Sequence, residues 1–170
     1  MNELLILRHA KSDWNSGARS DFERPLSKRG RRDAPRVGRF LAARGLVPDH
    51  VVSSPAERAR QTVLAVCEPL GIPESRIHWD DRIYHASTGF LMDVLSESPE
   101  TARRVLIAGH NPGLESLLRT LCEQEVPTPH DFKLMPTAAV AHLEIPGPWA
   151  DLDGGTARLL SLTRAKSLKD

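Results

Sequence analysis

Leu4-Leu5-Ile6-Leu7 is an unbroken run of four apolar residues that passes directly into Arg8-His9. A strand with one wet face alternates apolar and polar residues. An unbroken apolar run instead fits a strand covered on both faces. Val105-Leu106-Ile107-Ala108 repeats the pattern and passes into Gly109-His110-Asn111-Pro112. Short apolar runs alternating with helical patterns predict an α/β domain, a three-layer α/β/α sandwich around a mostly parallel sheet.

Working outward, a helix is expected within residues 27–44, with Ala34, Val37, Phe40 and Leu41 on one stripe. Pro35 either kinks it or delays its start to near Asp33, and Gly45 ends it. A short strand is expected at Val51-Val52. Ser54, Pro55 and Glu57 then read as N-cap, first turn and capping-box partner of a second helix. Its apolar face is Ala59, Val63, Val66 and Leu70, and Gly71-Ile72-Pro73 stops it. Residues 77–79 fit a strand, 90–95 a short helix and 114–121 another, with late strands near 139–145 and 157–162. Repeats, linkers and low-complexity segments are absent from the sequence, so residues 1–170 read as one domain.

The 170 residues are 40% hydrophobic and 26% charged, the composition of a folded soluble protein. The apolar runs are too short to span a bilayer, and no signal peptide is visible, so a cytoplasmic protein without membrane partners is expected. Cys67 and Cys122, far apart in helical contexts, read as buried thiols. The net charge is +1, but residues 19–44 hold eight Arg and one Lys against three acids. That stretch is either a solvated helix face or a patch facing an anionic substrate or phosphoprotein. Nucleic acid is the weaker partner, because aromatics are only 5% of the chain.

Ligands of such sheets sit beyond the carboxyl ends of the strands. There the sequence places Arg8-His9, then Ser53-Ser54-Pro55 leading to Arg58, then Gly109-His110-Asn111. Each alone has a structural explanation; together they are four cationic or cation-capable groups at one sheet edge. Two arginines form a bidentate grip for phosphoryl oxygens. Helix N-termini aim amides at the same place. An imidazole in that positive field stays neutral and nucleophilic, and covalent catalysis by His divides phosphoryl transfer into two easier steps. No P-loop, carboxylate cluster or zinc spacing is present in the sequence, so no metal and no cofactor are expected.

Three motifs carry a family resemblance. Arg8-His9-Ala10-Lys11-Ser12-Asp13-Trp14 resembles the Arg-His-Gly signature of the histidine phosphatase superfamily, which has the phosphoglycerate mutase-like fold. Ser53-Ser54-Pro55-Ala56-Glu57-Arg58-Ala59-Arg60-Gln61-Thr62 resembles its Ser-Pro-x-x-Arg-Ala-x-Gln-Thr segment, and Gly109-His110-Asn111-Pro112 its second-histidine segment. The small size and Arg24-Pro25-Leu26 look most like the phosphohistidine phosphatases of the SixA type.

The resemblance implies His9 as nucleophile, Arg8 and Arg58 as phosphoryl clamp, and His110 as donor to the same oxygens. It places Asn15, Lys11 and Ser12 in a substrate-contacting loop. His85 stands where larger members carry an acidic proton donor, with Asp80 and Asp81 as alternatives or a polar turn. The expected activity is metal-independent hydrolysis of phosphohistidine in a phosphotransfer or signalling protein, such as a histidine-containing phosphotransfer domain, releasing inorganic phosphate. The alternatives are a phosphatase of small phosphorylated metabolites such as sugar phosphates, and a non-catalytic phospho-binding module.

Overall fold

The computed structural model describes residues 1–169. Its strands and helices, in chain order, are β1 (Asn2–Arg8), α1 (Lys28–Ala43), β2 (His50–Ser53), α2 (Glu57–Cys67), β3 (Ile77–Trp79), α3 (Thr88–Ser96), β4 (Arg104–Gly109), α4 (Gly113–Leu121), β5 (Val140–Ile145) and β6 (Arg158–Thr163). They form a mixed α/β fold around one six-stranded sheet of order β3-β2-β4-β1-β5-β6. The four strands from β3 to β1 pair in parallel, while β5 and β6 add antiparallel pairings at one side.

The apolar runs do what their composition requires. Leu4 to Leu7 are completely buried, and so are Val105 to Ala108. Leu4, Ile6, Val105 and Ile107 join a core layer with α3 and α4, whereas Leu5, Leu7, Leu106 and Ala108 join one with α1 and α2. The sheet is therefore packed on both faces, as in the sandwich expected from the sequence.

Two local expectations are corrected. Helix α1 does not start late: Ser27 caps it, its Oγ accepting from Gly30 N, and it runs through Pro35 to Ala43. Ser54 does not cap α2, which begins at Glu57 after Ala56 and has no side-chain cap. The Ser54 backbone N–H donates instead to Ala108 O on β4 (3.0 Å), which holds this residue in the row of strand ends. The predicted buried thiols are found: both cysteines are buried and free, and burial pushes the Cys67 thiol up to about 12. No helix among the described residues is long and apolar enough to cross a membrane.

Register sets the site. Arg8 pairs with Gly109 across β1 and β4, and Ser53 pairs with Ala108 across β2 and β4. The next residues, His9, Ser54 and His110, consequently emerge side by side. The layer beneath is tight: a Cβ on Gly38 of α1 would lie 2.4 Å from Val66 O of α2 and 2.6 Å from Pro69 Cγ. Gly38→Ala is expected to destabilise the fold by about 1–3 kcal/mol through forced separation of α1 and α2, measured by urea unfolding.

Candidate active site

His9 closes β1 on the sheet, its N–H donating to Gly109 O at 3.0 Å. The residue is 6% exposed, and its Nδ1 lies 2.7 Å from Ala10 O. A carbonyl only accepts, so Nδ1 carries the proton and Nε2 keeps its lone pair. The supporting loop is tied to α2: Ala10 N donates to Thr62 Oγ1 at 2.9 Å, and the Thr62 hydroxyl donates to Arg58 O at 2.7 Å. Burial lowers the His9 pKa to about 4, and the charges of Arg8, Arg58 and Arg24 add to that effect.

His110 enters from the end of β4, with its ring centroid 5.2 Å from that of His9. Its Nε2 is 2.7 Å from Ser54 Oγ. Ser54 Oγ already accepts from Ala56 N at 3.2 Å, so its hydroxyl is assigned as the donor to His110 Nε2; in that tautomer the His110 proton sits on Nδ1, which has no protein partner among the described residues. Burial lowers its pKa to about 3, reinforced by His9 and Arg58.

The two arginines are placed by opposite ends of the site. Arg8 donates from Nη1 to Met135 O at 3.0 Å. Arg58, on the first turn of α2 and 4% exposed, donates from Nη1 to Asp21 O (2.7 Å) and from Nη2 to Asp21 Oδ2 (3.0 Å). The Nε atoms of both arginines are buried without a protein partner among the described residues. Three buried donors, Arg8 Nε, Arg58 Nε and His110 Nδ1, thus belong to the residues around the His9 lone pair. A buried donor left unpaired is costly, and an anionic phosphoryl group supplies the acceptors that would satisfy all three. The N-terminus of α4, whose Leu114 N–H bonds His110 O, adds positive potential.

The other sequence-predicted residues lie farther out. Ser12 is buried, and its Oγ accepts from Arg24 Nε at 3.0 Å. Lys11 is exposed, while its carbonyl accepts from Ser27 N and Ser27 Oγ. Asn15 is exposed, its N–H bonded to Asp13 Oδ1. His85 reaches the rim: its side chain is 73% exposed, its φ is 53°, its ring lies 4.1 Å from that of Tyr84, and its Nε2 lies 4.0 Å from Asp21 Oδ2. Asp80 caps the short turn Asp81–Ile83 and binds Arg82, which makes it the polar turn of the alternative reading.

Sequence reasoning missed Asp21, Tyr84 and the site role of Ser54, and it used Arg24 only as part of a motif. Arg24 is 8% exposed, and it bonds the Asp21 carboxylate while its guanidinium lies 3.5 Å over the Trp14 ring. Tyr84 donates its hydroxyl to Asp21 Oδ2 at 2.7 Å. That bond, with those from Arg24 and Arg58, holds the Asp21 carboxyl well below the usual carboxylate range. The basic stretch contained the clue, since Asp21 is one of its few acids. No group of three or more His, Cys, Asp or Glu that could hold a metal ion exists among the described residues.

Residues 4–84 match the family model described as the histidine phosphatase superfamily, branch 1. An uncharacterized protein of Mycobacterium tuberculosis is 31% identical over 158 residues, covering 91% of this chain and 96% of that one. The solved structure of SixA from Nakamurella multipartitia superposes with a TM-score of 0.82 at 27% identity, over 96% of this chain and 95% of that one. A protein histidine phosphatase, SixA, complexed with tungstate gives 0.81 at 23% identity, over 97% and 98%, and thereby a likeness of fold.

The two neutral imidazoles make stability depend on pH. Unfolded histidine titrates near 6.5, and His9 in the fold only near 4. The unfolded chain therefore binds more protons as the pH falls between these values, and stability is full above pH 6.5 and declines toward pH 4. For His9 alone the loss is on the order of 3 kcal/mol. Urea unfolding of His9→Gln across this range should show a flatter pH dependence than the unaltered protein.

Proposed function

This chain belongs to the histidine phosphatase superfamily, and we propose that it hydrolyses phosphohistidine in a phosphorylated protein through a covalent intermediate on His9. The observation that carries the reading is the set of three unpaired buried donors beside an imidazole whose Nε2 lone pair is free. In the first step His9 Nε2 forms a bond to phosphorus while the bond to the leaving group breaks and its electron pair departs with that group. In the second, water attacks phosphorus, the His9 P–N bond breaks, and inorganic phosphate leaves.

Arg8 and Arg58 hold the phosphoryl oxygens, and His110 Nδ1–H stabilises the charge that develops on them. Ser54 orients His110, and Ser12 orients Arg24. Lys11 and Asn15, exposed on the loop after β1, meet the body of the substrate rather than the phosphoryl group. His85, at the rim, is the proton source for oxygen leaving groups, which depart poorly as alkoxides. Positive charge from the arginines and the α4 N-terminus does the electrostatic work, and no cofactor enters the scheme.

The SixA likeness favours a protein phosphohistidine over a small phosphoester. Reaction with a radiolabelled phosphohistidine peptide, quenched in alkaline denaturant, should trap phosphate on the unaltered protein, alkali-stable and acid-labile, mapping to His9. His9→Ala should lose turnover by about a thousandfold or more while retaining weak vanadate binding through Arg8, Arg58 and His110. Turnover of that variant within about tenfold of the unaltered protein would remove the mechanism. EDTA should leave kcat/KM unchanged, and restoration of lost activity by a divalent ion would count against the electrostatic assignment.

A further inference from the structure

Asp21 is an anion set at the mouth of a site built to bind an anion. Its carboxylate is anchored three ways: Oδ2 accepts from Arg58 Nη2 and Tyr84 Oη, and Oδ1 accepts from Arg24 Nη1. Oδ1 has room for a second donor. The side chain is 40% exposed and that of His85 73%, whereas His9, Arg58 and His110 are all buried. The side of the site that opens to solvent is thus the one bordered by Asp21, Tyr84 and His85. A bulky substrate entering from solvent meets these residues first.

That side also carries an aromatic ledge. The Tyr84 ring stands edge-on to Phe22 at 5.1 Å and to His110 at 5.5 Å, with the His85 ring tilted at 40° against it at 4.1 Å. A planar, partly polar ring fits there, resting its face on the aromatics and turning an N–H toward a carboxylate. Beyond Asp21 a cleft of about 320 Å³, lined by Trp14, Ser16, Ser20 and Arg24 among others, gives room to the chain bearing such a ring.

We infer that Asp21 selects nitrogen leaving groups over oxygen ones by accepting the distal N–H of the departing imidazole. The inference rests on the proposed phosphohistidine reading of the same site. A phosphohistidine whose second ring nitrogen is protonated carries positive charge on the ring. Attack by His9 Nε2 breaks the substrate P–N bond, its electron pair returns to the substrate nitrogen, and a neutral imidazole leaves with its distal proton in place. No proton donor is needed. A carboxylate beside that N–H favours the protonated, reactive form. The same carboxylate opposes an oxygen leaving group, because the negative charge gathering on that oxygen meets a fixed negative charge.

The experiment compares kcat/KM for a phosphohistidine peptide and for para-nitrophenyl phosphate in the unaltered protein, Asp21→Asn and Tyr84→Phe. Both substrates need Arg58, so loosening of that side chain lowers both by a common factor and leaves their ratio alone. Asp21→Asn should lower the ratio of phosphohistidine to aryl phosphate by a further tenfold or so, the value of one charge-assisted hydrogen bond. Tyr84→Phe keeps the carboxylate and should keep the ratio within about threefold. If Asn at position 21 prevents folding, Asp21→Ser removes the same charge and carries the comparison. An unchanged ratio in the position 21 variants overturns the inference and leaves Asp21 as an anchor of Arg58 alone. An unaltered protein that cleaves the aryl phosphate but not the peptide overturns the phosphohistidine reading itself, and this inference with it.

Discussion

Parallel pairing of β1 and β2 with β4 is the constraint on which the site depends. It places Arg8 beside Gly109 and Ser53 beside Ala108, so the next residue of each strand contributes to one row. A slip of one residue would carry His9 about 3.3 Å along the sheet and turn Leu5 and Leu7 to the opposite face. Both faces are fully buried, with alternate residues of β1 committed to different core layers, so the slip would disrupt two cores at once. The geometry of the candidate site is thus enforced by apolar packing far larger than the site.

Gathering cationic groups there has a cost that the structure offsets in two ways. The imidazoles are kept neutral by burial, so they add hydrogen-bonding capacity without adding charge. The arginines cannot lose their protons, and they are balanced instead by acids at opposite ends. Asp21 bonds Arg24 and Arg58, while Glu115, whose carboxylate holds Met135 N, lies close enough to Arg8 to favour its charge. Between these acids the field remains positive where the buried donors lie, and low local polarity strengthens it.

The layers of the fold were legible because each rests on a local pattern. Leu4 to Leu7 and Val105 to Ala108 announce a sheet covered on both faces, and the residues following them announce the edge that carries the candidate site. Ser54 shows where local reading ends. Ser-Pro-x-Glu has the composition of a helix cap, but the Ser54 hydroxyl faces His110 and its backbone is claimed by β4. Tertiary partners outweighed the local preference. Asp21 shows a second boundary, since Arg58 lies 37 residues away and Tyr84 lies 63 away. Pairings at such separations leave no periodicity, and a count of arginines cannot tell the buried Arg24 from a solvated one.

The segment between β1 and α1 explains how the rim and the floor are joined. Its neck is closed by Asp13 N to Pro25 O (2.9 Å) and Ser27 N to Lys11 O (2.8 Å), with Arg24 Nε on Ser12 Oγ inside it. A Cβ on Gly30 would lie 2.1 Å from that same Lys11 carbonyl, so α1 packs directly on the neck. The tip, carrying Trp14 to Glu23, is tied back to the clamp at Asp21, whose carbonyl and carboxylate both hold Arg58. Side chains elsewhere on the tip can change without touching the register that sets His9 and His110. Asp21 cannot, because it is part of the rim and part of the clamp together. In the proposed reaction, recognition of the leaving group and grip on the phosphoryl group therefore meet in one residue, so no change at position 21 can alter one without the other.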